Sequence, residues 1–224
     1  MHNKAERLKK VKAPSAVNIP DEIKHRVPPG QTVTERFPIL HEGDVPQYDM
    51  TTWSIKVFGE VDKEMQFSFD DLMKLPQTEI VCDIHCVTRW SKLDTKWKGI
   101  KFKDFLELVG VRDLAKYVMV HGDHDYTTNV PLEDLLKENI LLAHTFDDEP
   151  LTEKHGGPMR LIVPHLYFWK SAKWITGFEF MLEDKPGFWE QNGFHMYAEP
   201  FAEQRFSNDE FEMPEDEWHG KDYD

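Results

Sequence analysis

The feature that most constrains the fold of this chain is the shortness of its regular segments, which switch repeatedly between strand-like and helix-like patterns. Residues 53–59 alternate polar and apolar side chains, as a half-buried strand does. Residues 69–75 have a helical pattern with two acids in the first turn, and Pro76 ends it. Other strand-like segments are residues 79–87, 117–120, 140–146, 160–163 and 174–182, and other helix-like segments are residues 102–109 and 131–136. Because no helix has the length typical of a doubly wound sheet, the pattern predicts an α+β protein with a mixed or antiparallel sheet.

The 224 residues suffice for one domain or slightly more, and the composition changes towards both ends. Residues 1–36 carry eight basic and four acidic side chains with four prolines, which predicts an arm on the surface. Residues 207–224 carry eight acids and one lysine, which predicts an acidic tail, or a strap whose aromatic side chains dock on the body or on a neighbour. We therefore assign the folded domain to residues 37–206.

Charge and hydropathy exclude several classes of protein. The 41 acidic and 27 basic residues give a net charge of −14, which argues against a general nucleic-acid binder, because such a protein needs a basic face. No apolar run approaches the roughly 18 residues of a membrane span, so no span is predicted. The first residues lack the apolar core of a secretory signal and the arginine pair of a twin-arginine signal, so we expect a cytoplasmic protein.

Two cysteines four residues apart, Cys82 and Cys86, form the first segment that could carry chemistry. Their thiols and the imidazole of His85 could hold a soft metal, since sulfur and imidazole nitrogen suit zinc or copper. A closed zinc site needs a fourth ligand, for which a distant residue such as His121 is a candidate. The other interpretation is that both cysteines are small buried apolar residues at the end of a strand. A positive neighbour such as Arg89 favours the thiolate that metals require.

Two later segments could bind an anion. In His155-Gly-Gly-Pro-Met-Arg160, the turn lets the backbone approach a ligand, and the guanidinium of Arg160 can fork onto an oxyanion. In Trp169-Lys-Ser-Ala-Lys173-Trp174, two ammonium groups and a hydroxyl could cradle a phosphate. Each segment alone is more often an ordinary turn, or surface lysines beside core tryptophans. All three segments in this order are specific as a set.

As a set, these segments resemble the molybdopterin-binding domain of the sulfite oxidase family, and in particular its short, stand-alone, cytoplasmic oxidoreductases. The resemblance runs from about Arg36 to Arg205. It rests on Cys86, residues 97–99, 102–108, 122–132, 155–160, 169–174, 187–193 and 203–205. It implies a mixed-sheet, sulfite oxidase-type molybdopterin-binding fold with short helices.

The resemblance also implies a molybdenum-molybdopterin cofactor, with tungsten as an alternative metal. In this family two dithiolene sulfurs of one pterin and a single protein thiolate hold the metal, and Cys86 matches that thiolate. Cys86 is thus the predicted metal ligand and, with Arg89 beside it, a predicted catalytic residue. The predicted cofactor-binding residues are His41, Cys86, Asp123, His155, Arg160, Ser171, Ala172 and Lys173. Cys82 matches no family role and is predicted to be a core residue.

One departure from the family pattern bears on the substrate. Sulfite oxidases carry an arginine pair just after the ligand cysteine, whereas this chain has Val87-Thr-Arg89-Trp90-Ser91. The single arginine weakens the case for sulfite and favours a smaller or neutral substrate. The residues predicted to line the substrate pocket are Arg89, Trp90, His124 and Tyr126. The length leaves no room for the family's dimerisation domain and no haem motif is present, so we expect a separate electron-transfer partner.

These observations lead to three hypotheses. The first is a molybdopterin-dependent oxidoreductase that transfers one oxygen atom to or from a small substrate, either a sulfite-like oxyanion or an S- or N-oxide. The second is a zinc-binding interaction protein built on Cys82, His85 and Cys86, which leaves the two anion-binding segments unexplained. The third is a protein that binds the pterin without catalysis, against which the intact Cys86 argues. The first hypothesis explains all three segments and is the function that the sequence predicts.

Overall fold

Two β-sheets make up the body of the protein in the computed structural model, which describes residues 19–41 and 43–207. The strands are β1 (Thr32–Val33), β2 (Ser54–Gly59), β3 (Met65–Ser68), β4 (Thr78–His85), β5 (Trp90–Lys101), β6 (Tyr117–Gly122), β7 (Thr127–Pro131), β8 (Leu141–Phe146), β9 (Glu149–Pro150), β10 (Arg160–Ile162) and β11 (Ile175–Met181). The helices are α1 (Asp21–Lys24), α2 (Phe69–Met73), α3 (Phe102–Leu106), α4 (Leu132–Leu135) and α5 (Phe188–Gln191). Two 3₁₀ turns cover Glu153–His155 and Phe168–Lys170. Among the helices of these described residues, none has the length and apolarity needed to cross a bilayer.

The first sheet is organised around β5, its longest strand. β5 pairs with β1, β4 and β8, and β8 pairs in turn with β10 and β9. The pairing of β1 with β5 is parallel and the others are antiparallel. The second sheet has the order β3-β2-β11-β6-β7, in which only β11 and β2 run parallel. Both sheets are mixed and the helices are short, so the predicted α+β class is confirmed.

The first sheet is buried on both faces at the start of β8 and along β10, which explains the continuous apolar residues at these positions. In β8, Leu142 packs in the core shared with the second sheet. Its neighbours Leu141 and Ala143 point the other way, into a second cluster around Trp97 and Phe168. The second cluster supports the loops that carry the candidate site.

The local chemistry of α2 shows why the predicted helix begins where it does. The Ser68 hydroxyl accepts a hydrogen bond from the Asp71 backbone N–H, and the Asp71 carboxylate accepts one from the Ser68 backbone N–H. This reciprocal capping box satisfies two donors that a helix start otherwise leaves free. The predicted helices at 102–109 and 131–136 are shorter in the structure, because their last residues form hydrogen-bonded turns.

The sequence does not predict β5, although this strand organises the first sheet. Its residues Lys92, Asp94, Lys96 and Lys98 give it a charged, loop-like composition. Trp97 between them is fully buried, and the lysines reach partners at the surface instead. Long-range pairing therefore outweighs local composition in this segment.

The described part of the predicted arm lies against the body. Val27 and Gln31 are buried, and β1 pairs with the start of β5. Arg26 forks onto Asp83, with Nε–Oδ2 and Nη2–Oδ1 distances of 2.9 and 2.6 Å. Residues 1–18 and most of the predicted acidic tail lie outside the described residues, so the domain boundaries stay predictions.

Candidate active site

A cavity opens where the loops after β4 and β6 meet the start of β10 and the loop before β11. Its lining residues are Phe37, Pro38, Leu40, His41, Cys86, Val87, Thr88, Trp90, Asp123, Tyr126, Arg160, Phe168, Trp169, Ser171, Ala172, Lys173, Trp174, Trp189 and Phe194. Seven of the eight predicted cofactor-binding residues are among them, and His155 is the one that is not. Aromatic side chains make up much of the remaining wall, so the cavity combines a few polar groups with a large apolar surface, as small-molecule sites do.

Cys86 sits at the start of a tight turn that directly follows β4. The Cys86 backbone N–H donates to Trp90 O at 2.9 Å, and the Arg89 N–H donates to Cys86 O at 3.1 Å. Burial raises the pKa of the Cys86 thiol, and the Thr88 hydroxyl, which donates to Sγ at 3.1 Å, opposes that rise. The turn thus presents one sulfur to the cavity with a hydroxyl donor beside it.

Arg160 brings an uncompensated positive charge into the cavity wall. The residue is 1% exposed, and its Nη1 and Nη2 donate to His155 O at 2.8 Å and Ser171 O at 2.7 Å. Its Nε has no hydrogen-bond partner, and in the described residues no carboxylate pairs with the guanidinium. Burial lowers the pKa of Arg160 to about 9. Burying a cation that has only neutral partners costs free energy, unless a bound anion neutralises its charge.

Lys173 adds a second cation to the same wall. Its Nζ donates to Lys154 O at 2.6 Å, and burial together with the charge of Arg160 lowers the pKa of Lys173 to about 7. A buried guanidinium beside a lysine whose pKa it lowers forms a receptor for an anion such as a phosphate. The thiol on one wall and these cations on another fit a cofactor that carries both a thiophilic metal and a phosphate.

Two predicted site residues lie outside the cavity lining. His155 stacks on Phe37 with ring centroids 4.2 Å apart, and its Nε2 is 3.2 Å from Phe37 O, so it supports a lining residue from behind. Arg89 has a positive φ of 70°, and its Nη1 donates to Gly30 O at 3.4 Å, away from the cavity. The roles assigned to both residues stay predictions.

Some of the predicted substrate-pocket residues line the cavity and others lie outside it. Trp90 and Tyr126 line the cavity, whereas His124 contacts Asp44 O through Nε2 at 2.7 Å. Asp123, next to His124, lines the cavity and accepts a hydrogen bond from the Tyr48 hydroxyl at 2.7 Å.

Lys170 does not belong to the predicted phosphate cradle. Its side chain is fully buried and pairs with Glu190 at 2.7 Å, and its Nζ also donates to Asn129 O and Met196 O. Glu190 accepts a further hydrogen bond from the Trp169 indole at 2.8 Å. The pair therefore fixes one aromatic wall of the cavity. Sequence analysis missed this role, although a lone glutamate among the aromatic residues of 187–194 was a signal for it.

The structure does not assemble the proposed zinc site. Cys82 Sγ lies 3.7 Å from the Thr95 hydroxyl, and His85 Nδ1 lies 2.8 Å from the Ser91 hydroxyl. His121 is in the second sheet beside Glu179. Across residues 19–41 and 43–207, no three His, Cys, Asp or Glu side chains converge as metal ligands. The oxidoreductase hypothesis is therefore favoured over the hypothesis of a zinc-binding interaction protein.

Comparison with known proteins decides the family. Residues 42–189 match the model of the oxidoreductase molybdopterin binding domain. The chain belongs to this family. It is 52% identical over 185 residues to the uncharacterized oxidoreductase YuiH of Bacillus subtilis, across 82% of this chain and 93% of that protein. It is 32% identical over 174 residues to the putative protein-methionine-sulfoxide reductase subunit YedZ1 of Azospira oryzae, across 76% and 66% of the two chains.

More distant relatives and a solved structure agree with this assignment. Proteins named as sulfite oxidases and as catalytic subunits of protein-methionine-sulfoxide reductases are 23% to 28% identical. The fold matches the sulfane dehydrogenase SoxCD of Paracoccus pantotrophus with a TM-score of 0.58 at 18% identity, over 75% of this chain and 56% of that one. The predicted sulfite oxidase-type fold is confirmed, and the protein is an oxidoreductase whose cofactor is molybdenum-molybdopterin.

The buried pair behind Trp169 gives a stability prediction. Lys170→Met leaves the Glu190 carboxylate buried without its ammonium partner, and we expect the free energy of unfolding to fall by about 3–5 kcal/mol. The double variant with Glu190→Gln removes both charges and should recover much of that loss. Urea unfolding of the three proteins measures both effects. Equal stability of the single and double variants would contradict the ion-pair assignment.

Lys173 gives a prediction for the dependence of stability on pH. Its pKa is lowered from 10.5 to about 7 on folding, so between these values the unfolded chain binds more protons than the folded one. The unfolding free energy of the cofactor-free protein should therefore rise with pH across this window. In Lys173→Met this contribution is absent. Urea unfolding at pH 7 and pH 9 tests the difference, and an equal pH dependence in both proteins would contradict it.

Proposed function

We propose that the protein reduces a small, neutral S-oxide or N-oxide, with electrons delivered by a separate redox partner. The observation that carries this proposal is the distribution of charge in the cavity. Arg160 and Lys173 are the arginine and the lysine of the lining within the described residues. Lys173 belongs to the loop of residues 171–174, and Arg160 donates to Ser171 O in that loop. The thiol of Cys86 reaches the same cavity from the turn after β4.

The cations of the lining are committed to the cofactor in this proposal. If Arg160 and Lys173 hold the cofactor phosphate, His41 is the remaining lining side chain of the described chain that can carry positive charge. The guanidinium of Arg89, the other candidate for holding an oxyanion, points to Gly30 O instead. A dianion such as sulfite would lose its hydration without gaining matched cations, which is unfavourable. A neutral substrate avoids that cost.

The aromatic wall suits such a substrate. Trp90, Phe168 and Trp189 line the cavity, and large apolar surfaces bind the uncharged part of a ligand by excluding water. Phe168 stays in place because it packs under the Arg160 guanidinium at 4.3 Å. Exclusion of water also strengthens the electrostatic contacts that remain in the cavity.

Each residue of the site has a defined task in this scheme. Cys86 anchors the metal, Arg160 and Lys173 hold the anionic end of the cofactor, and the backbone carbonyls of His155 and Ser171 fix the Arg160 fork. When bound, the cofactor supplies the two-electron oxygen-atom chemistry. Overall, the sulfur–oxygen or nitrogen–oxygen bond breaks, two electrons and two protons enter, and water leaves with the reduced product.

The relatives support the reaction class. Proteins named as methionine-sulfoxide reductase subunits and as sulfite oxidases are both among them, and each name describes chemistry at a sulfur atom that gains or loses oxygen. The aromatic lining, in which Arg160 and Lys173 are assigned to the cofactor, favours the first of these two chemistries for this chain. The separate electron partner and the cytoplasmic location remain proposals.

A substrate panel tests the proposal. Protein loaded with the cofactor is supplied with a reduced viologen dye and then with a methyl aryl sulfoxide, methionine sulfoxide or an aliphatic N-oxide, and dye oxidation is followed. In parallel, sulfite is offered with ferricyanide as the electron acceptor. We expect turnover with at least one neutral oxide at a kcat/KM at least tenfold above that for sulfite.

The two cysteines provide a matched pair of variants for this assay. Cys86→Ser should abolish turnover, because the hydroxyl is a poor ligand for a thiophilic metal. Cys82→Ser should retain it, because Cys82 lies against Thr95 and outside the cavity lining. Preferred oxidation of sulfite would contradict the neutral-substrate proposal. Absence of any turnover in the loaded protein would favour the pterin binder without catalysis.

A further inference from the structure

Two segments outside the residues matched by the family model close around the turn that carries Cys86, which we call the Cys86 turn (Cys86–Trp90). One is residues 29–34, and the other is residues 203–207, whereas the family match covers residues 42–189. Neither Gln31 nor Arg205, the main contact residues of these segments, lines the cavity. Their contacts with the turn therefore lie outside the lining of the cavity.

The Cys86 turn is not a conformation that its own residues favour. Arg89 has a φ of 70°, a left-handed conformation that costs an L-residue about 1–2 kcal/mol. Inside the turn, two backbone hydrogen bonds join Cys86 to Arg89 and Trp90. Such a strained residue persists where surrounding structure fixes it. The turn must therefore be held from outside.

The outside contacts act on the backbone carbonyls of the turn. Cys86 O accepts a hydrogen bond from Gln31 Nε2 at 2.9 Å, and Val87 O accepts one from Arg205 Nη1 at 2.9 Å. Arg89 O accepts from the Thr32 backbone N–H at 2.9 Å and from its hydroxyl at 3.1 Å. Three carbonyls of this short turn are thus held by side chains or backbone from distant parts of the chain.

Arg205 joins the two outer segments as well. Its Nη2 donates to Pro29 O at 3.0 Å, and the guanidinium lies over the Tyr167 ring at 4.8 Å. Arg205 is 4% exposed, and its nearest carboxylate in the described chain is Glu203 at 4.0 Å. Its main polar contacts are therefore the hydrogen bonds from its two Nη atoms to two backbone carbonyls. The planar guanidinium can make both bonds at once, and a lysine ammonium cannot reproduce this geometry.

We propose that Gln31 and Arg205 are positioning residues that clamp the Cys86 turn and so set the direction in which the Cys86 sulfur meets the metal. This proposal rests on the proposed function, because it takes Cys86 as the metal ligand. A sulfur displaced by about 1 Å changes the geometry of a reacting centre enough to cost up to about a hundredfold in rate. The clamp acts through the backbone of the turn, and neither of its two residues lines the cavity.

The test compares Arg205→Lys and Gln31→Leu with the wild-type protein, all loaded with the cofactor. Arg205→Lys keeps the charge and the stem over Tyr167 but loses the fork, and Gln31→Leu keeps the volume but loses the bond to Cys86 O. We expect amide hydrogen exchange in residues 86–91 to accelerate at least tenfold. We also expect the paramagnetic molybdenum signal of the partly reduced protein to split into more than one species. With the best substrate of the panel, kcat should fall at least tenfold while KM stays within about twofold.

Arg26→Gln is the matched control. Arg26 ties the same N-terminal segment to the body through Asp83 and Asp94, but it contacts no carbonyl of the Cys86 turn. General loosening of the segment would change this variant too, whereas loss of the clamp would not. We expect its molybdenum signal and its exchange in residues 86–91 to match the wild type.

The outcomes separate the clamp from the proposed function. Wild-type signal, exchange and kcat in both clamp variants would overturn the clamp alone. Equal changes in Arg26→Gln and the clamp variants would also overturn it, because they would show only a looser segment. A wild-type protein that takes up neither molybdenum nor tungsten would instead overturn the proposed function.

Discussion

The candidate site depends on a buried guanidinium that the protein itself leaves uncompensated. Arg160 begins β10, a fully buried strand, and two backbone carbonyls are its hydrogen-bond acceptors. Folding around such a group costs free energy that hydrophobic burial must offset. Lys173 beside it increases the cost, as its lowered pKa shows. A bound anion would turn this unfavourable arrangement into a favourable one, so cofactor binding and stability are coupled.

The remaining parts of the site hold their positions through buried polar contacts with distant residues. The Lys170–Glu190 pair fixes the Trp169 wall, and the Arg205 fork reaches the turn that carries Cys86. Both groups are buried, so each contact acts in a low-dielectric environment where a lost partner is expensive. The cofactor can then bind between walls that are already in place, which lowers the ordering cost of binding.

Much of the fold and of the site could be predicted from the sequence, for identifiable reasons. Strands such as residues 53–59 have a local alternation that survives in the structure, and Cys86, Arg160 and Lys173 lie in short segments of specific composition. β5 could not be predicted, because charged residues surround its buried Trp97 and its partner β8 lies at least 40 residues away in sequence. Lys170 was wrongly predicted to be part of the phosphate cradle. Its partner Glu190 is 20 residues away, and sequence spacing alone does not reveal a buried ion pair. The contacts of Gln31 and Arg205 span 55 and 118 residues, which no local pattern encodes.

The most direct measurement is the molybdenum and pterin content of protein purified from a host that makes the cofactor and is supplied with molybdate. Elemental analysis gives the metal, and fluorescence of the oxidised pterin released on denaturation gives the cofactor. We expect close to one molybdenum or tungsten and one pterin per chain, with pterin content reduced in Arg160→Met. Zinc without pterin would contradict the assignment of this cavity to the cofactor.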